Sequence, residues 1–188
     1  MGYYDEISEG YEELHKEEQL KKVELIKTYL KVNISDKLLD VGCGTGLTTE
    51  PWKCKRYGVD PAPKLLEGAR AQKEQKIKDF PISKSKDFEK IEYKLAPAEN
   101  IPYPDNYFDV VISITAIQNF RNIGKGLKEI KRVGKDRFVL SFLKKSKKKE
   151  MIDKLIRKLF KVNDVIEEDK DLIYFCSLGE TTETLVSF

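Results

Sequence analysis

The sequence predicts an α/β chain: a doubly wound, mostly parallel sheet of seven strands closed by a final antiparallel pair. Three stretches carry that reading. The apolar run Leu38-Leu39-Asp40-Val41 ends in glycines at alternate positions, Gly42, Gly44 and Gly46, as a buried parallel strand running into a tight turn does. Arg56-Tyr57-Gly58-Val59-Asp60 reads as a second short strand that ends in an acid. Residues 108–114 form a continuous apolar run behind the turn-forming Pro102-Tyr103-Pro104-Asp105-Asn106, and so a central strand.

The remaining elements follow in order. A long charged helix opens the chain, with Leu14, Val23, Leu25, Ile26, Tyr29 and Leu30 as its apolar face. Residues 47–52 start a first crossover helix that Pro51 keeps short or distorted. Pro61-Ala62-Pro63 pre-sets a turn into a helix over residues 64–76. The lysine-rich stretch 76–90, broken by Pro81, reads as a mobile connection or a short extra element. Ile91-Glu92-Tyr93-Lys94-Leu95 alternates as a third strand. A helix over 123–133 ends at Gly134, and residues 137–143 are the fifth strand. Residues 150–160 form an amphipathic helix with Met151, Ile152, Leu155, Ile156 and Leu159 inward. Strands over 171–177 and 181–188, joined at Gly179, make the antiparallel pair. No internal repeat and no second domain is visible: the reading is one domain over 1–188, with a helical segment over 1–33 and the sheet over 34–188.

A glycine turn lets a backbone approach a ligand closely, because no Cβ intervenes. Two common nucleotide sites do not match. The dinucleotide fingerprint places its third glycine one residue later, where Leu47 stands, and a P-loop requires Gly-Lys-Ser/Thr. The string Asp40-Val41-Gly42-Cys43-Gly44-Thr45-Gly46 instead resembles the first motif of class I S-adenosylmethionine-dependent methyltransferases. The acid Asp60 and the pair of stretches around Ala96-Pro97-Ala98-Glu99-Asn100 and Asp109-Val110-Val111-Ile112 are similar to that family's ribose acid, adenine loop and fourth strand. The resemblance implies a Rossmann-like methyltransferase fold and S-adenosylmethionine as cofactor, with S-adenosylhomocysteine as product. It implies cofactor contacts at Asp40, Gly42, Cys43, Gly44, Gly46, Asp60, Pro61, Ala98, Glu99 and Thr115. Tyr4-Asp5 and Tyr11-Glu12 are similar to the Tyr-Asp pairs that form a lid in this group, which adds Tyr11; the alternative is that these tyrosines only pack the helix onto the sheet. Gln118 and Asn119, beyond the carboxyl end of the fourth strand, stand where a substrate can be read or where a helix cap and loop would lie. The sequence Ser113-Ile114-Thr115-Ala116 lacks the Asn/Asp-Pro-Pro-Tyr of base-amino methylases.

Composition narrows the setting. Charged residues are 36% of the chain, rich in Lys and Glu, a pattern of proteins from hot organisms, and the net charge is only +3. Cys43, Cys54 and Cys176 have no Cys-x-x-Cys spacing, so neither a disulfide framework nor a metal site is indicated. No membrane-length apolar run or signal pattern is visible, and a cytoplasmic monomer or weak dimer is the expectation. His15 is the only histidine and no general base stands out. The acceptor stays open between a small molecule and a tRNA or rRNA, and a non-catalytic cofactor-binding subunit or a nicotinamide dehydrogenase are the rival classes. The absence of an inserted cover domain and the basic run Lys144-Lys145-Ser146-Lys147-Lys148-Lys149 lean the expectation to RNA. The 115–120 loop also resembles that of wobble-uridine tRNA methylases, some of which need a small zinc-binding activator protein, although the histidine pair usual there is replaced by Gln118-Asn119.

Overall fold

The computed structural model describes residues 3–79 and 91–179, and of residues 3–15 and 72–79 the helical backbone only. Its strands are β1 (Lys37–Val41), β2 (Lys55–Asp60), β3 (Ile91–Leu95), β4 (Phe108–Ser113), β5 (Gly134–Leu143), β6 (Lys161–Glu167) and β7 (Asp171–Ser177). Its described helices are α1 (Tyr3–Tyr29), α2 (Pro63–Asp79), α3 (Ile123–Val133) and α4 (Lys149–Leu159), with a 3-10 turn over Ile117–Asn119. Among the described residues one sheet runs in the order β3-β2-β1-β4-β5-β7-β6. The first four neighbouring pairs are parallel, and β7 is antiparallel to both β5 and β6. The doubly wound class is therefore correct, with the strand order reversing between β1 and β4, where such sheets open a crevice.

Alternation along the strands builds a core on each face. Leu39, Val41 and Val111 join Leu127 and Ile130 of α3 and Ile152 and Ile156 of α4. Leu38, Val110 and Ile112 join Val23 and Ile26 of α1 and Leu30 just after it, with Trp52. Leu66 and Ala69 of α2 close a third cluster over Cys43, Ile91 and Tyr93.

Several expectations are corrected. Among the described residues β7 pairs antiparallel with β6 on one edge and with β5 on the other, and the expected strand over 181–188 lies outside the described residues. The strand Lys161–Glu167 is largely exposed at the sheet edge; its Asn163 and Asp164 are poor strand formers, so its sequence carries little signal. No helix forms between β1 and β2 among the described residues. The chain there is held by turns, with Gly46 O accepting from Thr49 N and Glu50 N, both at 3.0 Å, and by Trp52 Nε1 donating to Thr48 O at 2.9 Å. Helix α2 continues to Asp79, so the expected connection starts later, and residues 80–90 lie outside the described ones. Helix α3 does end at Gly134 as expected, with that glycine extended at φ −92°, and a Cβ there would meet Phe138 at 2.3 Å. Tyr29 and Met151, assigned to apolar faces, are about half exposed, at 56% and 47%.

Candidate functional site

A cleft of about 580 Å³ opens at the carboxyl ends of β1, β2 and β4. Gly42, Cys43 and Gly44 line it from the β1 turn, Asp60 and Pro61 from the end of β2, Ala98 and Glu99 from the loop after β3, and Thr115 and Asn119 from the segment after β4. The structure thus brings residues from four separate stretches of sequence to one place. Asp40, Gly46 and Gln118 are not on its wall. The side chain of Tyr11 lies outside the described residues.

The β1 turn needs its glycines for two reasons. Gly42, Gly44 and Gly46 all have positive φ, at 79°, 52° and 85°, which side-chain-bearing residues adopt only with strain. A Cβ on Gly42 would stand 2.5 Å from that of Ala116, and one on Gly46 would stand 2.3 Å from Tyr93 Oη, so these two permit packing behind the turn. Gly44 differs: a Cβ there would meet only Leu65 Cδ1 at 3.9 Å, in the open space of the cleft. Asp60 braces the same turn. Its Oδ2 accepts from Gly44 N at 2.9 Å and its Oδ1 from Ala62 N at 2.8 Å. Each oxygen keeps further acceptor capacity toward the cleft.

Asp40 is fully buried beneath the turn, where its Oδ2 accepts from Thr48 Oγ1 at 2.6 Å and Thr49 Oγ1 at 2.8 Å. Burial pushes its carboxyl up to about 6; the two threonine hydroxyls oppose that shift, and the nearby charge of Asp60 adds to it. A carboxyl raised in the folded chain holds a proton that the unfolded chain releases at about 4, so its contribution to stability grows as pH falls from about 6 to about 4. Two pKa units correspond to about 3 kcal/mol. Asp40→Asn is therefore expected to gain about 3 kcal/mol relative to the parent on going from pH 4 to pH 7. Urea unfolding of both proteins at the two pH values checks this, and parallel profiles would contradict it. Cys43 is equally far from reactivity: burial, with the charges of Asp40 and Asp60, drives its thiol far above the usual cysteine range, so it is a neutral wall residue.

The group around Thr115 was not legible in the sequence. Thr115 lies on the cleft wall in the left-handed region, φ 55°, a conformation uncommon for a β-branched residue. Its Oγ1 donates to Asp171 Oδ2 at 2.6 Å, and its N–H donates to Ser141 Oγ at 2.8 Å, which in turn donates to Asp171 Oδ2 at 2.8 Å. Lys22 Nζ, from α1, donates to Asp171 Oδ1 at 3.1 Å, Thr115 Oγ1 at 3.2 Å and Glu18 Oε1 at 2.8 Å. Lys22 and Asp171 are both 0% exposed. One available signal was spacing: Lys22 sits four residues before Ile26, on the same helix face. Beside it Gln19, 4% exposed, lines the cleft with its side-chain oxygen unpartnered.

The other predicted residues have local duties. Glu99 Oε1 accepts from Asn122 N at 2.7 Å, and the Asn122 side chain caps α3 by accepting from Lys125 N at 2.9 Å. Gln118 turns back on the wall, its Nε2 donating to Thr115 O at 2.7 Å, and only Asn119 faces the cleft. Within the basic run, Lys148 Nζ donates to Gln118 O at 2.8 Å and Lys144 pairs with Glu167 at 3.0 Å. No described helix is long and apolar enough to cross a membrane.

An S-adenosyl cofactor fits these residues. The open space over Gly44 admits a ligand against the backbone, the spare lone pairs of Asp60 suit vicinal hydroxyls, and the unpartnered oxygen of Gln19 suits a donor. A family model described as a methyltransferase domain matches residues 39–141, and the chain belongs to that family. A protein of Methanocaldococcus jannaschii without an assigned role is 29% identical over 140 residues, 74% of this chain and 49% of its own length. The ubiquinone/menaquinone biosynthesis C-methyltransferase of Chromobacterium violaceum is 33% identical over 60% of this chain and 46% of its own. Among solved structures, a SAM-dependent methyltransferase from Aquifex aeolicus superposes with a TM-score of 0.60 at 18% identity, over 87% of this chain and 89% of its own; this likeness is one of fold. The chain spans about half the length of the curated relatives it matches.

Proposed function

We propose that this protein transfers a methyl group from S-adenosylmethionine to a small-molecule acceptor. The observation that carries the reading is the convergence of the Gly42–Gly46 turn with Asp60 on one cleft. In this reading Asp60 holds the ribose hydroxyls, the backbone at Ala98 and Glu99 meets the adenine, and the turn receives the amino-acid end. The cofactor supplies an activated methyl group on a sulfonium, which is already a good leaving group. The chain's task is positioning and exclusion of water. The carboxylates of Asp60 and Glu99 accept from backbone N–H groups, and Cys43 is a neutral thiol, so these wall residues are not placed as general bases. The acceptor atom accordingly has to be nucleophilic in its own right or pass its proton to water.

A small acceptor is favoured over RNA on two grounds. One relative with a named role is a C-methyltransferase of ubiquinone/menaquinone biosynthesis. Two of the five lysines on which the RNA expectation rested are engaged with Gln118 O and Glu167, which weakens the case for a phosphate-binding patch. Methyl-labelled cofactor incubated with the protein and a cell extract tests the reading. Label is expected in the low-molecular-weight fraction. Label in RNA would overturn the acceptor class, and no label in any fraction would overturn the activity.

A further inference from the structure

Strand order fixes which way a nucleoside held at Asp60 must run. Asp60 ends β2, the glycine turn ends β1, and Thr115 follows β4, the next strand across. A molecule with its ribose on Asp60 that crosses the turn therefore brings its far end to Thr115 and to α1, which packs above it. At that end stands Gln19, which among the described lining residues carries the one buried side-chain acceptor without a partner. A buried acceptor without a partner costs stability unless something meets it. A primary ammonium, with three donors and no acceptor, is the complementary group.

We propose that α1 completes the cofactor site: Gln19 accepts a hydrogen bond from the ammonium at the amino-acid end of the cofactor, and the buried Lys22–Asp171 pair is the positioning device that holds Gln19 and Thr115 there. This rests on the cofactor reading above. Lys22 is one helical turn from Gln19 on the same face of α1, and its Nζ spans Asp171 and Thr115 Oγ1. The pair thus ties the helix that carries Gln19 to the residue it faces. A polar, charged connection is an expensive way to seat a helix, because packed apolar residues of similar volume serve stability as well or better. What they cannot supply is the carboxylate that binds Thr115 Oγ1 and Ser141 Oγ and so keeps Thr115 in its left-handed conformation.

Titration calorimetry with two probes tests this: S-adenosylhomocysteine, which has the ammonium, and methylthioadenosine, which lacks the amino-acid end. Gln19→Leu is expected to weaken S-adenosylhomocysteine roughly 10-fold or more, the lower end for a hydrogen bond to a charged group, and to leave methylthioadenosine unchanged. Lys22→Met/Asp171→Leu, which removes both charges, is expected to keep the melting temperature of the parent and to show the same selective loss. Unchanged S-adenosylhomocysteine affinity in Gln19→Leu, or an equal loss for both probes, would overturn the Gln19 assignment. A double variant that binds both probes as the parent does would reduce the pair to packing and overturn its positioning role. If the parent bound neither probe, the cofactor reading itself would fail, which separates the two failures.

Discussion

Asp171→Ala is expected to destabilise the protein by about 3–5 kcal/mol, the range for removing one partner of a buried ion pair. The size follows from what the carboxylate serves. It receives Lys22 Nζ, Thr115 Oγ1 and Ser141 Oγ, and neither it nor Lys22 has any access to water. Among the described residues truncation leaves the ammonium with Glu18 and Thr115, and it leaves two hydroxyls without their acceptor. Thr115 would then have less to hold it at φ 55°, a conformation that costs on the order of 1–3 kcal/mol, so the cleft wall should relax as well. Urea unfolding gives the stability directly. A loss below about 1 kcal/mol would mean that water reaches Lys22 and that the pair behaves as a surface one.

The second large effect is expected at Asp60. Replacing it with Ala should weaken S-adenosylhomocysteine binding by about 1.5–3 kcal/mol, as expected for losing hydrogen bonds to a charged acceptor. From the sequence, Asp60 has only a ligand to hold, and the fold should survive its loss untouched. The structure adds a second duty, because both carboxylate oxygens already accept backbone N–H groups, from Gly44 and from Ala62. Asp60→Ala should therefore also lower the melting temperature by loosening the β1 turn. Asp60→Asn keeps the shape and one acceptor oxygen, and should fall between the two. Unchanged affinity in Asp60→Ala would remove the ribose assignment, whatever happened to stability.

These two residues mark the boundary of what sequence can reveal. Asp60 was legible because its chemistry is local: a short strand, an acid at its end, and a proline-rich turn after it. The glycine turn was legible for the same reason, although only Gly44 has open cleft space where a Cβ would stand, while Gly42 and Gly46 make room for Ala116 and Tyr93. The β1-to-β4 half of the sheet followed from apolar runs with clear breakers. Lys22 and Asp171 were not legible, because they are 149 residues apart, Lys22 in a highly charged helix and Asp171 at the very start of a strand, where a charged residue is ordinarily solvated. Only the sheet order, which brings β7 beside β5, places Asp171 next to Ser141 and Thr115. The edge strand Lys161–Glu167 was missed for a related reason: it buries little, so it carries little hydrophobic pattern. Gln118 stands beyond β4 where its sequence position puts it, and its side-chain amide donates to Thr115 O, a contact that no local pattern announces.

The cofactor is the centre of this account, and titration calorimetry of the unmodified protein tests it most directly. S-adenosylhomocysteine should bind with a stoichiometry of one, and NAD, excluded by the glycine spacing, should give no heat of binding. Binding of NAD, or no binding of S-adenosylhomocysteine, would contradict it.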